Sequence, residues 1–218
     1  MRLMIISLFL TLSSCFAQNS AKFVPKQVDA SKKYLFYLHG GIVQDQGANA
    51  VSKDFGAYEY LNILDTLSSY GFHVISEVRP KGTDEVKYAE KLAMQIDTLI
   101  SIGVAPENIV VVGASLGGYI TIETVHKLKN SKINYALIGL CSQYALDYFS
   151  KYNRELCGNF LSIYESSDQK ISCDRILKEP DCKSGYKEIK LNMGNGHGFL
   201  YKPYREWVHP IVEWINGW

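Results

Sequence analysis

The stretch that most limits what this chain can become is Ile109-Val110-Val111-Val112-Gly113-Ala114-Ser115-Leu116-Gly117-Gly118-Tyr119-Ile120. Its first four residues are apolar and β-branched, which suits a strand buried on both faces. A Gly-x-Ser-x-Gly turn follows, and the segment from Tyr119 to about Lys129 reads as a helix. A serine at the tip of so tight a strand-to-helix turn has a strained backbone. The residues two positions to either side must then be small, and Gly113 and Gly117 are. The helix behind it presents unpaired N–H groups and a partial positive charge to any anion forming there.

The rest of the chain can be placed around that turn. Residues 18–32 are a polar lead-in, and 33–218 read as a single domain. Six strands are predicted: Tyr34–Leu38, Phe72–Ser76, the one before Ser115, Ile133–Leu140, Phe160–Tyr164 and Tyr186–Met193. The last alternates lysine with apolar residues, as an edge strand would. Between them the pattern predicts a loop over Ile42–Lys53 and helices over Asp54–Tyr70 and Asp84–Ile102, the second capped by Thr83 or Asp84 and closed by Gly103. A C-terminal helix carries Trp207, Ile211, Trp214 and Ile215 inward, and Pro210 should break, kink or restart it. Strands alternating with helices mean a mostly parallel sheet covered on both faces.

Composition narrows the functional classes. A net charge of +1 gives no electrostatic footprint for nucleic acid or an anionic membrane. No Gly-Lys-Ser/Thr follows Gly117-Gly118, no dinucleotide fingerprint follows a strand, and no cysteine or histidine spacing suits a metal, so no cofactor is expected. Met1-Arg2, the apolar run Leu3–Leu12 and Ser13-Ser14-Cys15-Phe16-Ala17 have the layout of an export signal, too short to span a membrane. Cleavage after Ala17 is the reading adopted. The alternative is a lipoprotein box ending at Cys15, with residues 1–14 removed and Cys15 lipidated. The expected location is periplasmic or extracellular. Cys141, Cys157, Cys173 and Cys182 remain, an even number that suggests disulfides in an exported protein. Three connectivities are open to four cysteines; the sequence-local pairs Cys141–Cys157 and Cys173–Cys182 are the expectation.

The turn around Ser115, the His39-Gly40-Gly41 that ends the first strand, and the order of strands and helices resemble the α/β-hydrolase superfamily over essentially the whole of 33–218. The resemblance implies the short form of that fold, lacking its first two strands. Only Cys141–Asn159 is available where relatives insert a lid, so the site should be shallow and open. It also implies a serine nucleophile, then an acid, then a histidine in chain order. On that basis Ser115 is the nucleophile and His197, in Gly194-Asn195-Gly196-His197-Gly198, is the base. Asp168, in Glu165-Ser166-Ser167-Asp168, is the acid, with Glu165 second. The oxyanion-binding amides fall to Leu116 and Gly41, with Ile42 second to Gly41. His39 is expected to be a structural hydrogen-bonding residue, and Glu77 and Arg79 an ion pair steadying a loop. Tyr58, Tyr60, Tyr119, Tyr144 and Tyr201 are candidates for an aromatic cleft, with packing the default for each. The function implied is hydrolysis of small esters or acylated molecules. A thioesterase, acyltransferase or peptidase of the same fold, or a member that binds without catalysis, are the alternatives.

Overall fold

The computed structural model describes residues 27–152 and 155–216; the segment read as an export signal and Cys15 lie outside them. Strand β1 (Tyr34–Leu38) leads into a short helix α1 (Gly41–Gln46), a two-residue hairpin β2 (Val51–Ser52) and β3 (Gly56–Ala57), then α2 (Tyr60–Ser69). Next come β4 (His73–Ile75), α3 (Glu85–Ser101), β5 (Ile109–Ala114), α4 (Leu116–Leu128), β6 (Asn134–Ile138) and α5 (Gln143–Phe149). The chain closes with β7 (Gly158–Glu165), α6 (Asp174–Leu177), β8 (Lys183–Leu191) and α7 (Arg205–Asn216).

The main sheet has six strands in the order β4-β1-β5-β6-β7-β8, every neighbouring pair parallel. β8 is the edge strand expected from its lysine alternation. Side chains of successive strand residues point to opposite faces, and the core divides accordingly. Tyr34, Phe36, Ile109 and Val111 pack with Ala89, Leu92 and Ile96 of α3 and Ile120 and Val125 of α4. Leu35, Tyr37, Val110 and Val112 pack with Ile63 and Leu64 of α2 and Trp207 and Ile211 of α7. Helices therefore cover both faces. β1 and β5 lie side by side, but the chain continues from β1 toward β4 and from β5 toward β6, in opposite directions along the sheet. The crevice at the carboxyl ends of such a strand pair is where open α/β sheets bind ligands.

Several local expectations are corrected. Residues 42–53 are not one loop but α1 and the first hairpin strand, and the helix expected from Asp54 starts only at Tyr60. Gly56, with φ 75°, turns the hairpin instead. Tyr58 is buried ahead of the helix, its hydroxyl 2.6 Å from that of Tyr37. α7 runs continuously past Pro210. Among the described residues only α5 and a 3-10 turn, Ser150–Tyr152, lie between β6 and β7, with no large lid.

The disulfides are Cys141–Cys173 and Cys157–Cys182, not the sequence-local pairs. The parallel sheet explains this. Cys141 follows β6 and Cys173 follows β7, both at the carboxyl end of neighbouring strands. Cys157 precedes β7 and Cys182 precedes β8, both at the amino end. A local pairing of Cys141 with Cys157 would have had to join opposite ends of the sheet, beyond the few ångströms a disulfide spans.

Candidate active site

Ser115 occupies the turn between β5 and α4 at φ 50° and ψ −112°, a conformation non-glycine residues rarely adopt. Its N–H donates to Ile138 O at 2.9 Å and its carbonyl accepts from Gly118 N–H at 2.9 Å, so both neighbouring elements hold it there. The flanking glycines are sterically required. A Cβ on Gly113 would stand 2.3 Å from Thr121 Oγ1, and one on Gly117 would stand 2.0 Å from Leu38 O.

His197 follows β8 in a 3-10 turn, Gly196–Leu200, entered through Gly194 and Gly196 at φ 73° and 50°. Its Nε2 is 2.9 Å from Ser115 Oγ and its Nδ1 is 2.6 Å from Asp168 Oδ2. A carboxylate only accepts, so Nδ1–H donates to Asp168 and Nε2 is left to accept from the serine hydroxyl. The Asp168 side chain is 4% exposed and that of His197 24%, so the pair is shielded beneath while the imidazole edge reaches the cleft. The three residues proposed from sequence are thus brought within hydrogen-bonding reach from three separate loops at one end of the sheet.

Glu165, the second candidate for the acid, is fully buried at the end of β7 and turned elsewhere. It accepts from the N–H groups of Met193 (2.9 Å), Ser167 (3.2 Å) and Gly194 (3.3 Å) and from the hydroxyls of Ser166 and Ser167. Ser167 Oγ in turn accepts from Gly196 N–H at 2.9 Å. This carboxylate ties the loop bearing Asp168 to the loop bearing His197. Burial by itself would raise its pKa, but the Met193, Ser167 and Gly194 N–H groups outweigh that, and the net shift is downward. Cys141–Cys173 secures the same acid loop at its far end, where Ile171 N–H donates to Cys141 O at 2.7 Å.

Gly40 and Gly41 lie against the turn: a Cβ on Gly40 would be 3.6 Å from that of Ser115, and one on Gly41 3.6 Å from Leu116 Cδ2. Gly41 and Leu116 are the first residues of α1 and α4, so their N–H groups have no partner within the helix. Ile42, one residue further, is also in that first turn.

His39 is buried and holds the Gly40–Gly41 loop. Its Nδ1–H donates to Gly40 O at 2.9 Å and its Nε2 accepts from Arg79 N–H at 3.0 Å. Burial first, and the Arg79 guanidinium second, push its pKa down to about 3, so it is a neutral ring. Arg79 is itself buried. It donates to His39 O and to Gln44 Oε1, and its guanidinium lies 5.7 Å from the Tyr88 ring centre. The expected Glu77–Arg79 pair is therefore corrected: Glu77 pairs with Lys91. The bracing of His39 by Arg79 was missed from sequence. An arginine just after a strand, opposite a His-Gly turn on the neighbouring strand, was the available signal.

A cleft of about 420 Å³ opens beside Ser115 and Leu116, walled by Tyr119, Tyr144 and Tyr148 with Glu85, Glu123 and Lys170 around it. Of the five tyrosines considered for such a cleft, Tyr119 and Tyr144 line it, whereas Tyr58, Tyr60 and Tyr201 are buried on the other face. Among the described residues no group of side chains is arranged to hold a metal ion, and no helix is long and apolar enough to cross a membrane.

No protein-family model matches the chain, and neither does any curated protein. Solved structures do. A putative α/β hydrolase of Agrobacterium tumefaciens, ATU1826, superposes with a TM-score of 0.59 at 14% identity, over 90% of this chain and 89% of that one. SOBER1 of Arabidopsis thaliana gives 0.56 at 16% identity, over 85% and 98%. The esterase RhEst1 of Rhodococcus sp. ECU1013 gives 0.54 at 12%, over 87% and 92%.

Proposed function

On the premise that the chain has the α/β-hydrolase fold, we propose that it is an exported serine hydrolase acting on ester bonds of small molecules. The observation that carries this is the relay Ser115 Oγ–His197–Asp168, at 2.9 and 2.6 Å, set on a strained strand-to-helix turn. His197 Nε2 takes the serine proton as Oγ adds to the ester carbon. Asp168 holds the ring in the required tautomer and stabilises the imidazolium. The Leu116 and Gly41 amides receive the oxyanion; each such donor is typically worth about 3 kcal/mol in the transition state. The imidazolium protonates the leaving alcohol. Water, activated by the same ring, then releases the acid from the acyl-serine. The steps require no cofactor.

Export rests on the leader at 1–17 and on two disulfides, which persist in oxidising compartments. The test is turnover of short-chain esters by the purified protein beside Ser115→Ala and Asp168→Asn. The reading expects kcat to fall by roughly four to six orders of magnitude for the first and about four for the second. Ester turnover surviving Ser115→Ala would refute it.

A further inference from the structure

The cleft beside Ser115 has a composition that narrows the substrate. We propose that it holds the sugar ring of an O-acylated carbohydrate, so that the ester cleaved joins an acyl group to a sugar hydroxyl. The inference rests on the proposed hydrolase reading and adds the leaving group to it.

One wall of the cleft is built from one turn of α5. Tyr144 and Tyr148 are four residues apart, so their side chains meet on one helix face. Their rings are 6.2 Å apart and inclined by only 20°. Lys151 Nζ lies 3.8 Å from the centre of the Tyr148 ring, so that ring is already engaged. Tyr144 is 69% exposed, among the most exposed large hydrophobic side chains described. Beneath the stack, Glu123 is buried and already engaged by Lys151, Tyr148 and Tyr152. That carboxylate orders the tyrosines and carries no uncompensated charge. Glu85, at the start of α3, and Lys170, between β7 and α6, give the cleft one acceptor and one donor of opposite sign.

These features select among substrate classes. A long acyl chain needs aliphatic walls, and among the described residues Leu116 is the sole aliphatic one lining the cleft. A cationic substrate needs an excess of free carboxylates, but Glu123 is paired with Lys151, and Lys170 lines the cleft as well as Glu85. A phosphorylated substrate would bring its negative charge beside the Glu85 carboxylate, with Lys170 as the one lysine lining the cleft among the described residues. A neutral ring with an apolar face and hydroxyl edges suits what is present: the exposed Tyr144 ring and, besides the paired Glu123, one carboxylate and one lysine, Glu85 and Lys170. The volume lies in the range of small-molecule sites. With the ring on Tyr144, Ser115 Oγ adds to the acyl carbon and the bond from that carbon to the sugar oxygen breaks. The sugar leaves as an alcohol with the proton from His197, and water hydrolyses the acyl-serine to acid and free serine.

The experiment compares acetylated glucose, xylose and N-acetylglucosamine with ethyl acetate, for wild type, Tyr144→Ala and Tyr144→Phe. One lost stacking partner should lower kcat/KM for the acetylated sugars about tenfold, mainly through KM. Ethyl acetate turnover should fall by a much smaller factor, and Tyr144→Phe should retain the wild-type preference. Tyr144 is exposed and packs into no core, so folding is not at stake. An equal loss on both substrate types, or none on either, overturns the assignment. Saturation-transfer NMR of Ser115→Ala with the methyl glycosides of the same sugars gives a readout that needs no turnover. Sugar binding that Tyr144→Ala abolishes supports the assignment even if no ester is ever hydrolysed. Absence of both sugar preference and sugar binding overturns it while leaving the hydrolase reading to its own test.

Discussion

Replacing Glu165 by alanine removes one side chain and unsettles two loops. The carboxylate is fully buried and accepts three backbone N–H groups and two hydroxyls. A buried donor left unpaired costs about 1–3 kcal/mol. The three backbone donors alone give roughly 3–9 kcal/mol; water entering the vacated space and loop relaxation hold the loss to about 3–5 kcal/mol, the upper end of single-residue effects. At this chain length that is a drop in Tm of about 6–20 °C. Glu165→Gln keeps the shape but aims an NH2 at N–H donors on one side, and should lose roughly half as much. The pH dependence follows from the downward shift. With its folded pKa below the unfolded value near 4.5, Glu165 contributes stability that is complete above about pH 4.5 and is lost as pH falls through the lowered value. Urea unfolding of both variants and wild type, disulfides intact, at pH 7 and pH 3.5 measures this. The gap between wild type and Glu165→Ala should narrow at the lower pH. A loss below about 1 kcal/mol at pH 7, or a gap that widens in acid, refutes the assignment of Glu165 as the tie between the acid and histidine loops.

Other consequences can be checked separately. Converting Cys141 and Cys173 together to serine opens a link spanning 32 residues; chain entropy puts the cost at about 4 kcal/mol, and ester turnover should fall further than for the Cys157/Cys182 pair because only the first disulfide anchors the Asp168 loop. Gly117→Ala should abolish the native elbow, since its Cβ would sit 2.0 Å from a carbonyl oxygen, whereas Gly40→Ala, with 3.6 Å of room, should fold; circular dichroism and labelling of Ser115 distinguish them. His39, with its pKa pushed down to about 3, should show no imidazole titration by NMR between pH 5 and 8. Its depressed value also means that its contribution to stability is complete above about pH 6.5 and declines as pH falls toward 3.

Much of this was legible in the chain because several constraints are local. The elbow announces itself: the strand must be apolar, the positions around Ser115 must lack a Cβ, and a helix must follow. The order of β5, β7 and β8 then delivers Ser115, Asp168 and His197 to one end of a parallel sheet without any knowledge of packing. The choice of Asp168 over Glu165 was harder, because both carboxylates follow the same strand; only the positions of Met193 and Gly194 show that Glu165 is already satisfied. The disulfides were misassigned from proximity along the chain, which ignores that successive loops of a parallel sheet emerge at opposite ends. The hairpin at 51–57 was lost because Tyr58 happens to continue the spacing of Leu61 and Leu64, although Gly56 needs a left-handed backbone. The Arg79 brace on His39 joins residues forty positions apart and depends on β1 and β4 being neighbours.

The central claim is that Ser115 is an activated nucleophile, and the most direct measurement is the intact mass of the folded protein after exposure to a fluorophosphonate, followed by peptide mapping. The account predicts a single phosphonyl adduct, located on Ser115, lost in Ser115→Ala and strongly slowed in His197→Ala. Folded protein that gains no adduct, or gains it at another residue, contradicts the account.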